Sequence, residues 1–225
     1  MLSGLAWLAL EVKYLDDARR FYEESLSMSV REESDTEVRY AAGETDLVIR
    51  RPTEIPRGGL HTHYAFSIPH DEYDEWWDRL SSEYDLLEAR FGESRSLYCY
   101  DPDGNCVELG QQDVDGPGID GIFEVVLEVA SLDSAVSFYQ ELGFEPYDVG
   151  SDRRRVRLQG PFALELWEPH LGIADARGGV HVDLGFTSAS PDDAISRIGD
   201  RCLSVDREAG TVIDPDGHHL TFRSA

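Results

Sequence analysis

The sequence predicts an α+β protein made of four β-α-β-β-β modules, paired into two cupped mixed-sheet domains. Three observations carry this. Segments recur in register along the chain: "YLDDARRFYEESLSM" (14–28) with "SLDSAVSFYQELGF" (131–144), "GGLHTHYAF" (58–66) with "GGVHVDLGF" (178–186), and "DPDGNCVEL" (101–109) with "DPDGHHLTF" (214–222). Their offsets of 117, 120 and 113 residues mark duplication of a whole domain rather than a short repeat. Within each half, stretches with a period of two alternate with stretches of helical period.

The elements follow in order. "LAWLALEV" alternates as a strand, and "LDDARRFYEESL" then places Leu15, Ala18, Phe21 and Tyr22 on one helical stripe. "SVREES", "EVRYAAG" and "TDLVIRRP" are shorter extended pieces. The plan repeats with strand "HTHYAFSI", helix "DEYDEWWDRLSS" and strands leading into a hairpin at DPDG, whose residues are those a tight turn selects. The second half repeats both modules. "QQDVDGPGID" supplies the linker, so the domains are expected at 1–112 and 119–225, with residues 113–118 between them. Two modules of one half are expected to form one curved sheet, helices on its convex side.

Composition restricts the setting. The chain has 225 residues, no apolar run near the length of a membrane span and no secretory signal pattern, so a soluble cytoplasmic protein is expected. Three cysteines (Cys99, Cys106, Cys202) do not suggest a disulfide framework. Asp and Glu number 45 against 20 Lys and Arg, a formal net charge of −25, and Lys13 is the sole lysine. Such acidity argues against nucleic acid or an anionic membrane as partner. Spread along a foldable chain, it resembles the composition of proteins from salt-loving archaea, where concentrated salt screens the self-repulsion.

Alternation assigns the faces. Trp7, Ala9 and Glu11 turn away from the helix side of the first strand, as do His61, His63 and Ala65 of the strand at 60–68 and Cys106 and Glu108 of the strand after DPDG. Tyr98 or Tyr100 enters from the neighbouring strand. The first cup therefore gathers two imidazoles and a carboxylate, suitable ligands for a divalent transition metal. In the second half Glu124, Val126, Glu128, Glu165, His181, Asp183, His219 and Thr221 face inward, with Arg153, Arg154, Arg155, Arg157 and Arg223 available to neutralise the acids without a metal. An oxygen-rich set favours harder ions. No glycine-rich phosphate loop, Gly-x-Ser-x-Gly elbow or Cys-x-x-Cys pair is present.

The "LDDARRFYEESL" helix, the "HYAF" strand and the terminal "DPDGNCVEL" resemble the vicinal oxygen chelate superfamily, which includes glyoxalase I, extradiol catechol dioxygenases and fosfomycin- and bleomycin-resistance proteins. The resemblance covers nearly the whole chain. It implies metal ligation by His63 and Glu108, and at Glu124, Glu165 and Asp183 in the second half, with Thr221 in place of the last carboxylate. It implies iron or manganese as cofactor, and a small-molecule substrate with neighbouring oxygens; a homodimer is compatible with it. "LYCYDPDGNCVE" fits the closing part of the dioxygenase signature, which assigns Tyr98 a role toward substrate, while Ala89, Arg90 and Phe91 stand where that signature has its acid–base His. Trp7 occupies a ligand position of the family and cannot ligate; His61 is a replacement ligand or acid–base group. The leading expectation is a metal-dependent enzyme nearest the extradiol dioxygenases. The alternatives are a metal-free binder of small aromatic molecules with Trp7 as stacking wall, and a glyoxalase-like lyase or isomerase using the second cup.

Overall fold

A computed structural model of the chain describes residues 1–52, 63–152, 154–168 and 183–224. His61, His181 and Arg153 lie outside the described residues. No described helix is long and apolar enough to cross a membrane.

The first module runs β1 (Leu2–Glu11), α1 (Leu15–Arg19, continued by a π-helical turn at Arg20–Ser25), β2 (Val30–Glu33), β3 (Glu37–Ala42) and β4 (Thr45–Arg50). The second runs β5 (His63–Pro69), α2 (Tyr73–Leu80), β6 (Leu87–Phe91), β7 (Ser94–Tyr100) and β8 (Cys106–Gln112). The third has β9 (Ile122–Glu128), α3 (Leu132–Glu141), β10 (Glu145–Val149), β11 (Arg155–Gln159) and β12 (Ala163–Trp167). The fourth has β13 (Asp183–Ser188), α4 (Pro191–Ile198), β14 (Ser204–Asp206), β15 (Thr211–Ile213) and β16 (His219–Ser224). The predicted module plan is therefore present four times.

In each module the first and last strands pair in parallel and the rest are antiparallel. The modules then join through their first strands. β1 pairs antiparallel with β13, giving one eight-stranded sheet ordered β14-β15-β16-β13-β1-β4-β3-β2. β5 pairs antiparallel with β9, giving a second ordered β10-β11-β12-β9-β5-β8-β7-β6. The fold class is as expected; the pairing differs. Modules one and four form one sheet and modules two and three the other, so the boundary between 112 and 119 does not divide the sheets.

The face assignment holds along every inner strand. Leu8, Leu10 and Val12, Tyr64, Phe66 and Ile68, Val107 and Leu109, Val125 and Leu127, Leu184 and Phe186 all join one apolar core. The predicted helical stripe of Leu15, Ala18, Phe21 and Tyr22 is buried in it. Tyr22 touches both sheets: its ring lies 5.7 Å from Tyr40 on β3, and its hydroxyl meets that of Tyr64 on β5.

The DPDG turns serve this packing. Tyr22 donates to Asp101 Oδ2 at 2.8 Å, and its counterpart Tyr139 donates to Asp214 Oδ2 at 2.7 Å. The other oxygen of Asp101 accepts the backbone N–H of Asp103 and Asn105, and Gly104 takes the positive φ of 86° that closes the turn. Helix α1 is thus pinned to the hairpin of module two and α3 to that of module four. Within a half, modules pack through their helices; across halves, they complete each other's sheets.

Candidate metal centre

Strand register places the site. Ala65 on β5 stands between Glu108 on β8 and Glu124 on β9, while His63, one pleat away, stands opposite Val126, which is itself paired with Glu165 on β12. His63, Glu108, Glu124 and Glu165 therefore occupy four adjoining strands on the side facing away from the core. All four are buried, between 2% and 7% exposed. His63, Glu108 and Glu124 each offer a ligand atom, and these three atoms lie within 4.8 Å of one another. His63 Nε2 and Glu108 Oε2 are hydrogen-bonded at 3.0 Å. One imidazole and two carboxylates converging at this separation fit a divalent cation, whose bonds to such groups are about 2.0–2.2 Å.

Two arginines on β11 face the acids. Arg157 Nη2 contacts Glu124 Oε2 at 2.6 Å, and Arg155 Nη1 lies 3.0 Å from Glu165 Oε1 and 2.7 Å from Asp148 Oδ2. Burial pushes Glu124 up to about 7; Arg157 and His63 pull the other way, and Glu165 and Glu108 add to the rise. Tyr98, paired across the ladder with Glu108, has its ring 5.6 Å from His63. Burial first, and then the Glu108 carboxylate, hold its phenol well above the ordinary range, so it remains a donor.

The other sheet gathers a different set. Trp7 on β1 pairs with Asp46 and Gly185, and Asp183 on β13 pairs with Ala9 and His219. Asp183 is bound by Arg50 at 2.7 Å. The Trp7 indole lies over Gly185, where any side chain would collide with it, and Arg223 and Arg39 approach the ring at 5.3 and 6.0 Å. The positions equivalent to Glu124, Glu165, His63 and Glu108 are here Trp7, Val48, Asp183 and Thr221.

Three sequence-based expectations change. Trp7 does not share a cup with His63 and Glu108, so it does not obstruct them; Glu124 takes that place. Glu124 and Glu165 leave the second-half set and join the first-half pair. Asp183 is left with an arginine, apart from the other carboxylates. The reason is the same in each case: β5 pairs with β9, and β1 with β13. Tyr98 is brought to the site, whereas Tyr100 is half exposed. Trp167, its ring 6.3 Å from His63, was not anticipated. It stands two residues beyond Glu165, and alternation alone would have placed it on the same face.

A family model described as glyoxalase/bleomycin resistance protein/dioxygenase superfamily matches residues 4–109. The chain is 30% identical to the fosfomycin resistance protein FosX of Listeria innocua, over 48% of this chain and 90% of that protein. It is 29% identical to the metallothiol transferase FosB of Staphylococcus saprophyticus, over 48% of this chain and 77% of that one. Among solved structures, a candidate dioxygenase of Bacillus subtilis aligns over 99% of this chain and 85% of its own at a TM-score of 0.77 and 14% identity. A glyoxalase I variant of Zea mays aligns over 98% and 92% at 0.70 and 17%. At those identities the two structures speak to fold alone.

Proposed function

Because the chain belongs to the glyoxalase/bleomycin resistance protein/dioxygenase superfamily, we propose that its second sheet forms a metal-dependent active site, in which His63, Glu108 and Glu124 hold one divalent cation. The observation that carries this reading is the convergence of three buried ligand atoms within 4.8 Å. Similarity to proteins named metallothiol transferases supports it. Iron or manganese suits one imidazole with carboxylates. When bound, the ion supplies a Lewis acid to neighbouring oxygens of a small molecule.

The residues around it favour acid–base chemistry of the lyase or isomerase kind over ring cleavage. Non-haem iron oxygenases use two His and one carboxylate, whereas the cluster among the described residues has one His and two carboxylates. Glu165, buried beside the cluster and held by Arg155, is placed to take a proton from carbon next to a polarised carbonyl. Tyr98, kept protonated with its O–H given to Glu108, turns that donor to a substrate oxygen when an ion takes the carboxylate.

A second reading has its own observation. The His63–Glu108 hydrogen bond and the Arg157–Glu124 ion pair give the cluster's groups protein partners, which suits a metal-free binding protein, and Trp7 offers such a ligand an indole face in the other sheet. Metal analysis separates the two. Protein purified without chelator or affinity-tag nickel carries about one equivalent under the first reading; less than a tenth refutes it. We also read the net charge of −25 as adaptation to concentrated salt, of the kind found in salt-loving archaea.

A further inference from the structure

Arg157 has a place in the cup that the ligand cluster does not require. It stands on β11 opposite Glu165, its side chain 26% exposed, and its ion-pair partner among the described residues is Glu124. Its Nε is buried and has no hydrogen-bond partner among the described residues. A buried donor left in that state is destabilising, and a ligand group would satisfy it. Arg155 differs, because its Nη1 contacts two carboxylates, Asp148 at 2.7 Å and Glu165 at 3.0 Å.

A cation on His63, Glu108 and Glu124 competes with Arg157 for the Glu124 carboxylate. Once the ion takes those electrons, Arg157 keeps its charge, loses its direct ion-pair contact and still has an unused Nε–H. Its remaining neighbours are Glu165, opposite it on β12 and already held by Arg155, and Tyr147, to which it is hydrogen-bonded. A planar guanidinium in that condition binds a carboxylate or phosphonate through two parallel hydrogen bonds.

Resting on the metal-dependent reading above, we propose that Arg157 is a specificity-determining residue, and that the substrate is a small acid carrying an anionic group beyond its two neighbouring oxygens. The spacing follows from the position of Arg157: its guanidinium, 2.6 Å from Glu124, stands beside the ligand cluster. The anionic group therefore lies two or three carbon atoms from the chelating oxygens. Loading with metal and admission of the anion are coupled, because the same ion that binds the oxygens sets Arg157 free.

The test uses the full chain and two probes. L-Lactate and L-malate both chelate through a hydroxyl and the adjacent carboxylate; malate adds a second carboxylate two carbons away. Mn²⁺ is titrated first by calorimetry, then each acid into the Mn²⁺-loaded protein. The expected result is malate bound at least tenfold tighter than lactate by wild type. Arg157→Met brings the ratio below twofold with lactate unchanged, and binds Mn²⁺ itself several-fold tighter because the competing cation is gone. Arg157→Lys, which keeps the charge and loses the fork, falls between. A wild type without the malate preference overturns the proposal, as does a preference that survives Arg157→Met or a variant that binds Mn²⁺ no tighter. A wild type that takes no Mn²⁺ sinks the metal reading and this inference with it, and that failure is seen before either acid is added.

Discussion

Glu108→Gln tests the centre most directly, because it removes one charge while nearly preserving shape. In metal-free protein two effects oppose. The variant replaces a charge-assisted hydrogen bond to His63 at 3.0 Å with a neutral one, and it removes one of the charges that make Glu124 hard to ionise. Their difference should lie within about 1 kcal/mol. With Mn²⁺ free at a hundred times its dissociation constant, wild type gains about 2.7 kcal/mol by linkage. If losing a ligand weakens binding about a hundredfold, the variant gains only about 0.4 kcal/mol at the same Mn²⁺. The gap of about 2.3 kcal/mol corresponds to about 5–9 °C in melting temperature for a chain of this size. Thermal unfolding of both proteins, with EDTA and with Mn²⁺, reads it. If the Mn²⁺-induced shift of Glu108→Gln equals that of wild type, the cup does not hold the ion through Glu108 and the assignment fails.

Three further outcomes are expected. Gly185→Ala should destabilise by about 1–3 kcal/mol, the usual cost of overpacking, because its methyl must displace the Trp7 indole; Mn²⁺ affinity should stay unchanged, since both residues belong to the other sheet, and a changed affinity would contradict that separation. In metal-free protein Glu124 is pushed from an ordinary value of 4.5 up to about 7, so between those pH values the folded state binds more protons than the unfolded chain. Its contribution to stability therefore falls as pH rises through that window, by up to about 3 kcal/mol; urea unfolding at pH 5 and pH 8 should show a smaller loss for Glu124→Gln than for wild type, and equal losses would refute the assignment. Finally, the net charge of −25 repels itself over a Debye length of about 10 Å at 0.1 M salt and about 3 Å at 1 M, so the melting temperature should climb steeply between 0.1 M and 2 M KCl; a flat profile would remove the case for salt adaptation.

Much of the molecule was legible from the chain alone. Alternation named the face of each inner strand: Tyr64, Phe66 and Ile68 entered the core, which turned His63 and Glu108 to the opposite side. The Leu15, Ala18, Phe21, Tyr22 stripe gave the helix its buried side, and three repeated segments gave the duplication of the halves. All of these are local, since the period of a strand or helix depends on the residue's own backbone geometry. Which cup each face lines was a different matter. Residues His63 and Glu124 became neighbours because β5 pairs with β9, and Trp7 met Gly185 because β1 pairs with β13. Four similar modules offer four similar edge strands, and nothing in the period of any one of them names its partner. That choice is made by packing across the whole core, where Tyr22 and Tyr139 pin their helices to the hairpins of the following modules and leave each sheet to be completed from the other half. The chain by itself determined that His63, Glu108, Glu124 and Glu165 would face away from the core; only the tertiary pairing put all four into one cup and left Trp7, Val48, Asp183 and Thr221 in the other.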